Sequence, residues 1–237
     1  MCGIVGLFNR SGPVRVAALE TAVARLAHRG PDDQGTFVSG HFGMGHTRLS
    51  IIDLAGGHQP LKTADGTLTL IANGEIYNFI ELRALLESRG HRFLTHSDCE
   101  VILHAYREYG ENFLEHILGM FAFALFDSVH DRLILARDRL GIKPLFLAEG
   151  SRGVAFASEI KGLLPLLDSP PGIDALGLAR YLQTQFATGA DTLLQGVERV
   201  LPGESVWIEQ GLIARRYRYW SPLQVQPLDL GFEEAST

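Results

Sequence analysis

The segments predicted to form strands are continuous runs of apolar residues, without the alternation of apolar and polar residues that a half-exposed strand shows. Met120–Phe126 is the longest such run, and Gly3–Phe8 lies at the amino terminus. A strand with no polar alternation is covered on both of its faces, so these runs predict sheets buried inside a layered fold. Even the longest run falls short of the roughly 20 residues that a membrane-spanning helix needs, and we expect no contact with a membrane.

The order of the elements favours one fold class. Strands come first, two helices follow, and more strands come after them. The two helices end near Gly90 and Gly110, which suit helix ends. This order is neither a βαβ repeat nor all-β. It predicts a layered α+β sandwich in which antiparallel sheets pack face to face with helices outside.

Local patterns give further predictions about single elements. Asn78 with Glu81, and Ser97 with Glu100, match the capping box that begins a helix. Asp98 would then follow the helix cap, where an acidic side chain favours the helix dipole. Two further features are predicted from local sequence: a tight turn at Asn73-Gly74 and a short strand over His91–Thr95.

The second residue of the chain has unusual chemical potential. Removal of the initiator methionine makes Cys2 the amino terminus, with a thiol and a free α-amine on one residue. Their reference pKa values, about 8.5 and about 7.7–8.0, both lie near working pH. A nucleophile that uses its own amine as the base is a known catalytic arrangement.

Composition excludes several classes of function. The formal net charge of −6 gives no electrostatic basis for binding nucleic acid. The chain has 2 cysteines and no secretory signal before the first, which predicts a cytoplasmic protein without disulfides. Its 9 histidines show no spacing typical of a zinc site, and we expect no metal.

Six motifs of this chain together resemble those of one family in their order and spacing. They are Cys2-Gly3-Ile4-Val5-Gly6, His28-Arg29-Gly30-Pro31-Asp32, His46-Thr47-Arg48-Leu49-Ser50-Ile51-Ile52-Asp53, Asn73-Gly74-Glu75-Ile76-Tyr77-Asn78, Ser97-Asp98-Cys99-Glu100-Val101 and Arg137-Asp138-Arg139-Leu140-Gly141-Ile142-Lys143-Pro144-Leu145. The chain resembles class II glutamine amidotransferases, and within them the glutaminase half of glutamine-hydrolysing asparagine synthetases.

The resemblance implies a fold and a reaction. The implied fold is the four-layer αββα sandwich of antiparallel sheets found in the N-terminal nucleophile hydrolases, and the implied reaction releases ammonia from the side-chain amide of L-glutamine. Cys2 would form a γ-glutamyl thioester. The side-chain amide of Asn73 and the backbone N–H of Gly74 would stabilise the oxyanion.

The same resemblance assigns residues to the two charged groups of glutamine. Arg48 would hold the α-carboxylate through a bidentate contact, and Asp98 would hold the α-ammonium with Glu75 beside it. The segment Leu49, Ser50, Ile51 and Ile52 would line the pocket. His28 and Arg29 are further candidates, and the Arg137-Asp138-Arg139 run is interpreted as an ion-pair network that supports the site.

The resemblance covers residues 2–220, and 221–237 is interpreted as a linker toward a synthetase domain that is missing here. The chain has no pyrophosphate or Walker A loop, so no cofactor is expected in it, and ATP and Mg are expected only in that domain. The expected partners are L-glutamine and the synthetase domain or chain that accepts ammonia, and a homodimer is also considered. Two alternatives stay open: another amidotransferase acceptor, or a catalytically silent module that binds a partner.

Overall fold

The computed structural model describes residues 1–54 and 56–225. In this part of the chain the strands are β1 (Gly3–Asn9), β2 (Asp33–Ser39), β3 (Phe42–Arg48), β4 (Leu61–Lys62), β5 (Leu68–Ile76), β6 (Gly119–Asp127), β7 (Arg132–Arg137), β8 (Phe146–Gly150), β9 (Gly153–Ala157), β10 (Val197–Arg199), β11 (Glu204–Glu209) and β12 (Leu212–Arg218). The helices are α1 (Val16–Ala24), α2 (Phe79–Ser88), α3 (Glu100–Tyr109), α4 (Ile160–Leu163) and α5 (Ala175–Thr184), with 3-10 turns at Ala27–Arg29, Gly110–His116, Leu164–Leu166 and Pro222–Gln224.

The strands form two six-stranded antiparallel sheets. The first sheet has the order β10-β8-β9-β1-β3-β2 and the second the order β12-β11-β7-β6-β5-β4. The amino-terminal strand β1 therefore lies inside the first sheet, hydrogen-bonded on both sides, which agrees with its continuous apolar sequence.

Three buried hydrophobic clusters lie between the four layers of the fold. Ile4 and Met44 of the first sheet pack against Ile71 and Ala124 of the second sheet between the two sheets. Helices α1 and α4 cover the outer face of the first sheet. Helices α2 and α3 cover the outer face of the second. The predicted αββα sandwich of antiparallel sheets is confirmed.

The predicted turn at Asn73-Gly74 is wrong. Both residues lie within β5, where Asn73 pairs with Ala122 and Gly74 with Phe121 of β6. A Cβ on Gly74 would come within 2.3 Å of the Met120 carbonyl oxygen. The glycine therefore serves close approach between two strands, and tertiary pairing outweighs the local preference of Asn-Gly for a turn.

Both predicted capping boxes are also wrong, because their side chains bind more distant backbone. Asn78 is the residue before α2, but its amide accepts from Leu118 N–H and donates to the His116 carbonyl. The Glu100 carboxylate accepts from the backbone N–H groups of Leu94 and Thr95.

Two predictions for the residues near Glu100 also differ from the structure. The segment predicted as a strand over His91–Thr95 is irregular. Helix α3 begins at Glu100 with Cys99 as its N-cap residue, so Asp98 lies before the helix. The Asp98 carboxylate accepts a hydrogen bond of 2.8 Å from the Ile76 N–H of β5.

Glycines mark a hairpin turn and two helix ends. Gln210 and Gly211 both have positive φ, 51° and 71°, at the turn between β11 and β12. Gly90 and Gly110 follow α2 and α3 as expected. The predicted linker 221–237 lies mostly outside the described residues. Within the described part of the chain, no helix combines the length and the apolar character that a bilayer crossing requires.

We expect Gly6→Ala to destabilise the fold. Its Cβ would lie 2.7 Å from the Gly43 carbonyl oxygen and 2.5 Å from the Phe156 ring, in the middle of the first sheet. Overpacking of this kind costs about 1–3 kcal/mol, which urea unfolding measures. Gly150→Ala is the matched control, because nothing lies within 4 Å of its added Cβ. Equal stability of the two variants would contradict this interpretation of the sheet.

Candidate active site

A cavity of about 280 Å³ opens between the two sheets at the start of β1. Its lining includes most of the site residues predicted from the sequence: Cys2, Arg48, Leu49, Ile51, Ile52, Asn73, Gly74, Glu75 and Asp98. Ser50 is not part of this lining, and its backbone N–H binds the Asp32 carboxylate at 2.7 Å. Met1, Gln59, Cys99, Met120 and Lys143 also line the cavity.

Strand parity explains why these residues meet. Side chains alternate between the two faces of a strand. Ile4, Met44 and Ile71 face the space between the sheets. Each of Cys2, Arg48 and Asn73 lies an even number of residues along its strand from one of these three. Their side chains therefore face the same space. The pairing of Gly3 with Thr47 brings the start of β1 beside the end of β3.

Cys2 is fixed by contacts on both sides. Its Sγ lies 3.7 Å from the Leu49 carbonyl oxygen. Its own carbonyl accepts a hydrogen bond of 2.8 Å from Arg29 Nε, and the Arg29 guanidinium also binds Glu159 at 2.7 Å. Arg29 thus acts on Cys2 through the backbone. His28, the neighbouring candidate, binds Glu159 and does not line the cavity.

Burial and charge have opposite effects on the Cys2 thiol. Burial raises the pKa of the thiol, and this is the larger effect. The positive charges of the chain's amino group, Arg48 and Lys143 oppose it and favour the thiolate. The reactivity of this thiol therefore depends on the cations of the cavity.

Strand β5 has a free edge at the cavity. The Gln59 side chain binds both the N–H and the carbonyl of Ala72, at 2.6 and 3.1 Å, on the side away from β6. Backbone groups alternate in direction along an antiparallel strand, so those of Gly74 point to the same side as those of Ala72. The Gly74 carbonyl accordingly meets the Cys99 thiol at 3.8 Å on that side. This geometry directs the Gly74 N–H to the free edge.

Asn73 holds an unused hydrogen-bond donor. Its side chain is only 1% exposed, and its Nδ2 has no hydrogen-bond partner among the described residues. Such a buried group costs free energy, about 1–3 kcal/mol. A ligand oxygen in the cavity would satisfy it.

Arg48 holds the loop that forms one wall of the cavity. Its Nη2 donates to the carbonyls of Ile52 and Asp53 at 2.9 and 2.7 Å. A Cβ on Gly57 would lie 2.6 Å from Nη2, so the loop encloses the guanidinium closely. The contact of Arg48 with a substrate carboxylate stays a prediction.

Asp98 is a buried carboxylate that is 4% exposed. Its Oδ2 accepts from the Ile76 N–H at 2.8 Å. Burial, together with the negative charge of Glu75, raises the pKa of Asp98. No basic side chain in the described ranges pairs with it within 4.0 Å. Asp98 and Glu75 therefore offer uncompensated negative charge to the cavity.

The Arg137-Asp138-Arg139 run does not form the predicted ion-pair network. The Arg137 guanidinium donates to the backbone carbonyls of Gly141, Lys143 and Val200 at 2.6–2.7 Å. The Asp138 carboxylate accepts from backbone N–H groups, including that of Lys143 at 2.9 Å. The pair fixes the loop that brings Lys143 to the cavity, a residue that sequence reasoning missed although it lies in the same motif.

A larger cavity, of about 520 Å³, lies at the opposite end of β5 and is lined by Leu68, Tyr106 and Trp207 among others. The arginines around it are paired, Arg107 with Asp65 and Arg132 with Glu209. It contains no cysteine, so the smaller cavity is the better candidate for chemistry. No group of three or more metal-ligating side chains occurs in the described ranges.

Comparisons with known proteins agree with this geometry. Residues 1–220 match the family model described as a glutamine amidotransferase domain. The chain belongs to this family. Among curated relatives, asparagine synthetase [glutamine-hydrolyzing] 1 of Bacillus subtilis is 42% identical over 212 residues, which cover 88% of this chain and 33% of that protein. Amidase chry2 of Gibberella zeae is 35% identical, covering 93% of this chain and 34% of that one.

The chain thus spans about a third of the length of these relatives. A solved structure supports the fold. Glutamine phosphoribosylpyrophosphate amidotransferase of B. subtilis superposes with a TM-score of 0.68 at 23% identity, over 92% of this chain and 49% of that one.

Asp98→Asn is expected to stabilise the fold at neutral pH. A carboxylic acid whose pKa is raised in the folded state is penalised for its charge above that pKa. The neutral amide avoids the penalty and still accepts from the Ile76 N–H. The gain should vanish below the ordinary pKa of 3.8, where Asp98 itself is protonated.

Urea unfolding of both proteins at neutral pH and below pH 3.8 measures this difference. Glu87→Gln, at an exposed position of α2, is the matched control and should change stability by less than about 0.5 kcal/mol. A less stable Asp98→Asn protein at neutral pH would show that Asp98 is not an uncompensated charge.

Proposed function

We propose that this chain hydrolyses the side-chain amide of L-glutamine and supplies the ammonia to an asparagine-synthetase-type site. One observation carries the proposal. The buried, unpartnered amide of Asn73 lies in the same cavity as the Cys2 thiol. A nucleophile and an unused donor are the two groups that acyl transfer requires.

The reaction follows from these groups. With Met1 removed, the α-amine of Cys2 takes the thiol proton, and the thiolate attacks the amide carbon of glutamine. The carbonyl electrons move to oxygen and then return as the carbon–nitrogen bond breaks. The amine's proton passes to the nitrogen, which leaves as ammonia. Water attacks the γ-glutamyl thioester and releases glutamate and the thiol.

Two donors stabilise the oxyanion. Asn73 Nδ2 gains the partner that it lacks, and the Gly74 N–H lies at the free edge of β5 beside it. Both donors are held by the pairing of β5 with β6, so they need little reorganisation during the reaction.

The cavity also suits a zwitterionic amino acid. Glu75 and Asp98 offer negative charge to the α-ammonium, which would relieve the cost of burying Asp98. Arg48 holds the α-carboxylate, and Leu49, Ile51 and Ile52 form the adjoining wall. A neutral peptide or an anion would leave one of these charged groups without a partner.

The ammonia acceptor lies outside this chain. Relatives three times as long include glutamine-hydrolysing asparagine synthetases, which favours an amide-forming domain with its own ATP and Mg. Another acceptor for the same glutaminase is the alternative, and one relative carries a different name, amidase chry2. Both thiols are free, Cys99 being buried, which suits a reducing compartment such as the cytoplasm.

Cys2→Ala is expected to abolish glutamate release from glutamine while the fold is retained, because the other thiol that lines the cavity, Cys99, is buried and this burial raises its pKa well above the ordinary value. Glutamate release and intact mass are measured on the same samples, so that turnover is assigned to the species without Met1. Turnover by Cys2→Ala close to that of the native chain would defeat the mechanism.

Asn73→Ala is expected to lower kcat for glutamine about 10²–10³-fold, the range for loss of one oxyanion donor. KM should change much less, because the donor acts mainly on the transition state. Asn112→Ala, at an exposed position, is the matched control. A rise in KM at constant kcat would instead assign Asn73 to substrate binding.

A further inference from the structure

Lys143 is a largely buried residue of the cavity lining whose ammonium has no acidic partner. It lines the cavity together with Cys2 and is 7% exposed. Across residues 1–54 and 56–225, no carboxylate lies within 4.0 Å of its ammonium, whereas Lys161 pairs with Glu159. Lysine is almost never buried unless it is paired, so the position of this charge requires an explanation.

The backbone of Lys143 is held at both of its polar groups. Its N–H donates to Asp138 Oδ2 at 2.9 Å, and its carbonyl accepts from Arg137 Nε at 2.7 Å. Gly141 has a φ of +67°, and a Cβ there would lie 2.8 Å from Pro202. A well-fixed loop therefore brings the lysine to the cavity, and its side chain does not extend from a mobile surface.

Lys143 differs from the other cation of the cavity. Nη2 of Arg48 is engaged by the carbonyls of Ile52 and Asp53. No described residue accepts a hydrogen bond from Lys143 Nζ, while its backbone is fully engaged. Lys143 thus keeps all of its ammonium donors available for a negative charge that develops during reaction, whereas Arg48 has committed Nη2 to the loop.

We propose that the Lys143 ammonium stabilises the anionic Sγ of Cys2, and through it the attack on the substrate amide. This role rests on the proposed function and adds an electrostatic residue to it. It explains a cavity-lining ammonium without a carboxylate partner: the partner is the thiolate, which exists only during the reaction cycle. A nearby lysine is a known means of favouring a thiolate.

The proposed effect is a lowering of the pKa of the Cys2 thiol, and several charged groups around the thiol contribute to that pKa. The positive groups are the chain's amino group, Arg48 and Lys143, and the pKa of the thiol is lowered by all three. The negative groups of the cavity are Glu75 and Asp98, and the Cys99 thiol lies nearby with its pKa raised by burial. Removal of one positive charge should raise the pKa of Cys2.

The experiment is the pH dependence of iodoacetamide alkylation at Cys2, located by peptide mass and measured without glutamine. Lys143→Met should shift the profile to higher pH, with the rate at neutral pH falling about tenfold for each unit of the shift. The rates should converge above both pKa values. Lys143→Arg should retain the native profile, and Lys62→Met, at an exposed position of β4 outside the cavity, is the matched control.

Two outcomes would overturn the proposal: an unchanged profile in Lys143→Met, or an equal loss of rate at every pH, which would indicate altered access. Should Lys143→Met not fold, Lys143→Gln gives the same comparison. The proposed function is tested separately. A shifted profile in a chain that never releases glutamate would overturn the glutaminase and leave only the stabilisation of the Cys2 thiolate by Lys143, and turnover with an unshifted profile would overturn the role of Lys143 and leave the glutaminase intact.

Discussion

The site depends on the position of the amino-terminal strand inside a sheet. Because β1 is hydrogen-bonded to both β3 and β9, the residue before it cannot move freely, although it lies near the end of the chain. The pairing of Gly3 with Thr47 and the contact from Arg29 fix the backbone of Cys2 at the opening between the sheets. An N-terminal nucleophile is thereby held as firmly as one in the interior of a chain.

The site also depends on the short length of β4. This strand pairs with only two residues of β5. The Gln59 side chain replaces the missing strand at Ala72, and beyond it the edge of β5 is open at Gly74. A strand edge is normally a liability because its N–H groups lack partners. Here it lies inside a cavity, where such a group can bind a substrate oxygen. The same cavity combines the cations Arg48 and Lys143 with uncompensated carboxylates at Glu75 and Asp98, so charge as well as shape would distinguish glutamine, the proposed substrate, from other ligands.

The sequence predicted the parts of this structure that depend on burial or on several motifs acting together. Apolar runs indicated the strands and the sandwich, and the six motifs indicated most of the cavity lining. Predictions failed where a long-range contact decides. Asn73-Gly74 is a strand because β6 pairs with it, and the Asn78 side chain binds the distant backbone of His116 and Leu118 instead of capping its helix. The burial of Lys143 could not be predicted, since it depends on a loop that neighbouring side chains fix through the backbone.

The most direct test of the account is acid quenching of the chain during glutamine turnover, followed by mass spectrometry of the amino-terminal peptide. We predict a γ-glutamyl group on Cys2, on peptide that has lost Met1, that forms with glutamine and disappears when the substrate is exhausted. Glutamate release without any such adduct on Cys2, or an adduct on Cys99 in its place, would contradict the proposed nucleophile and the site built around it.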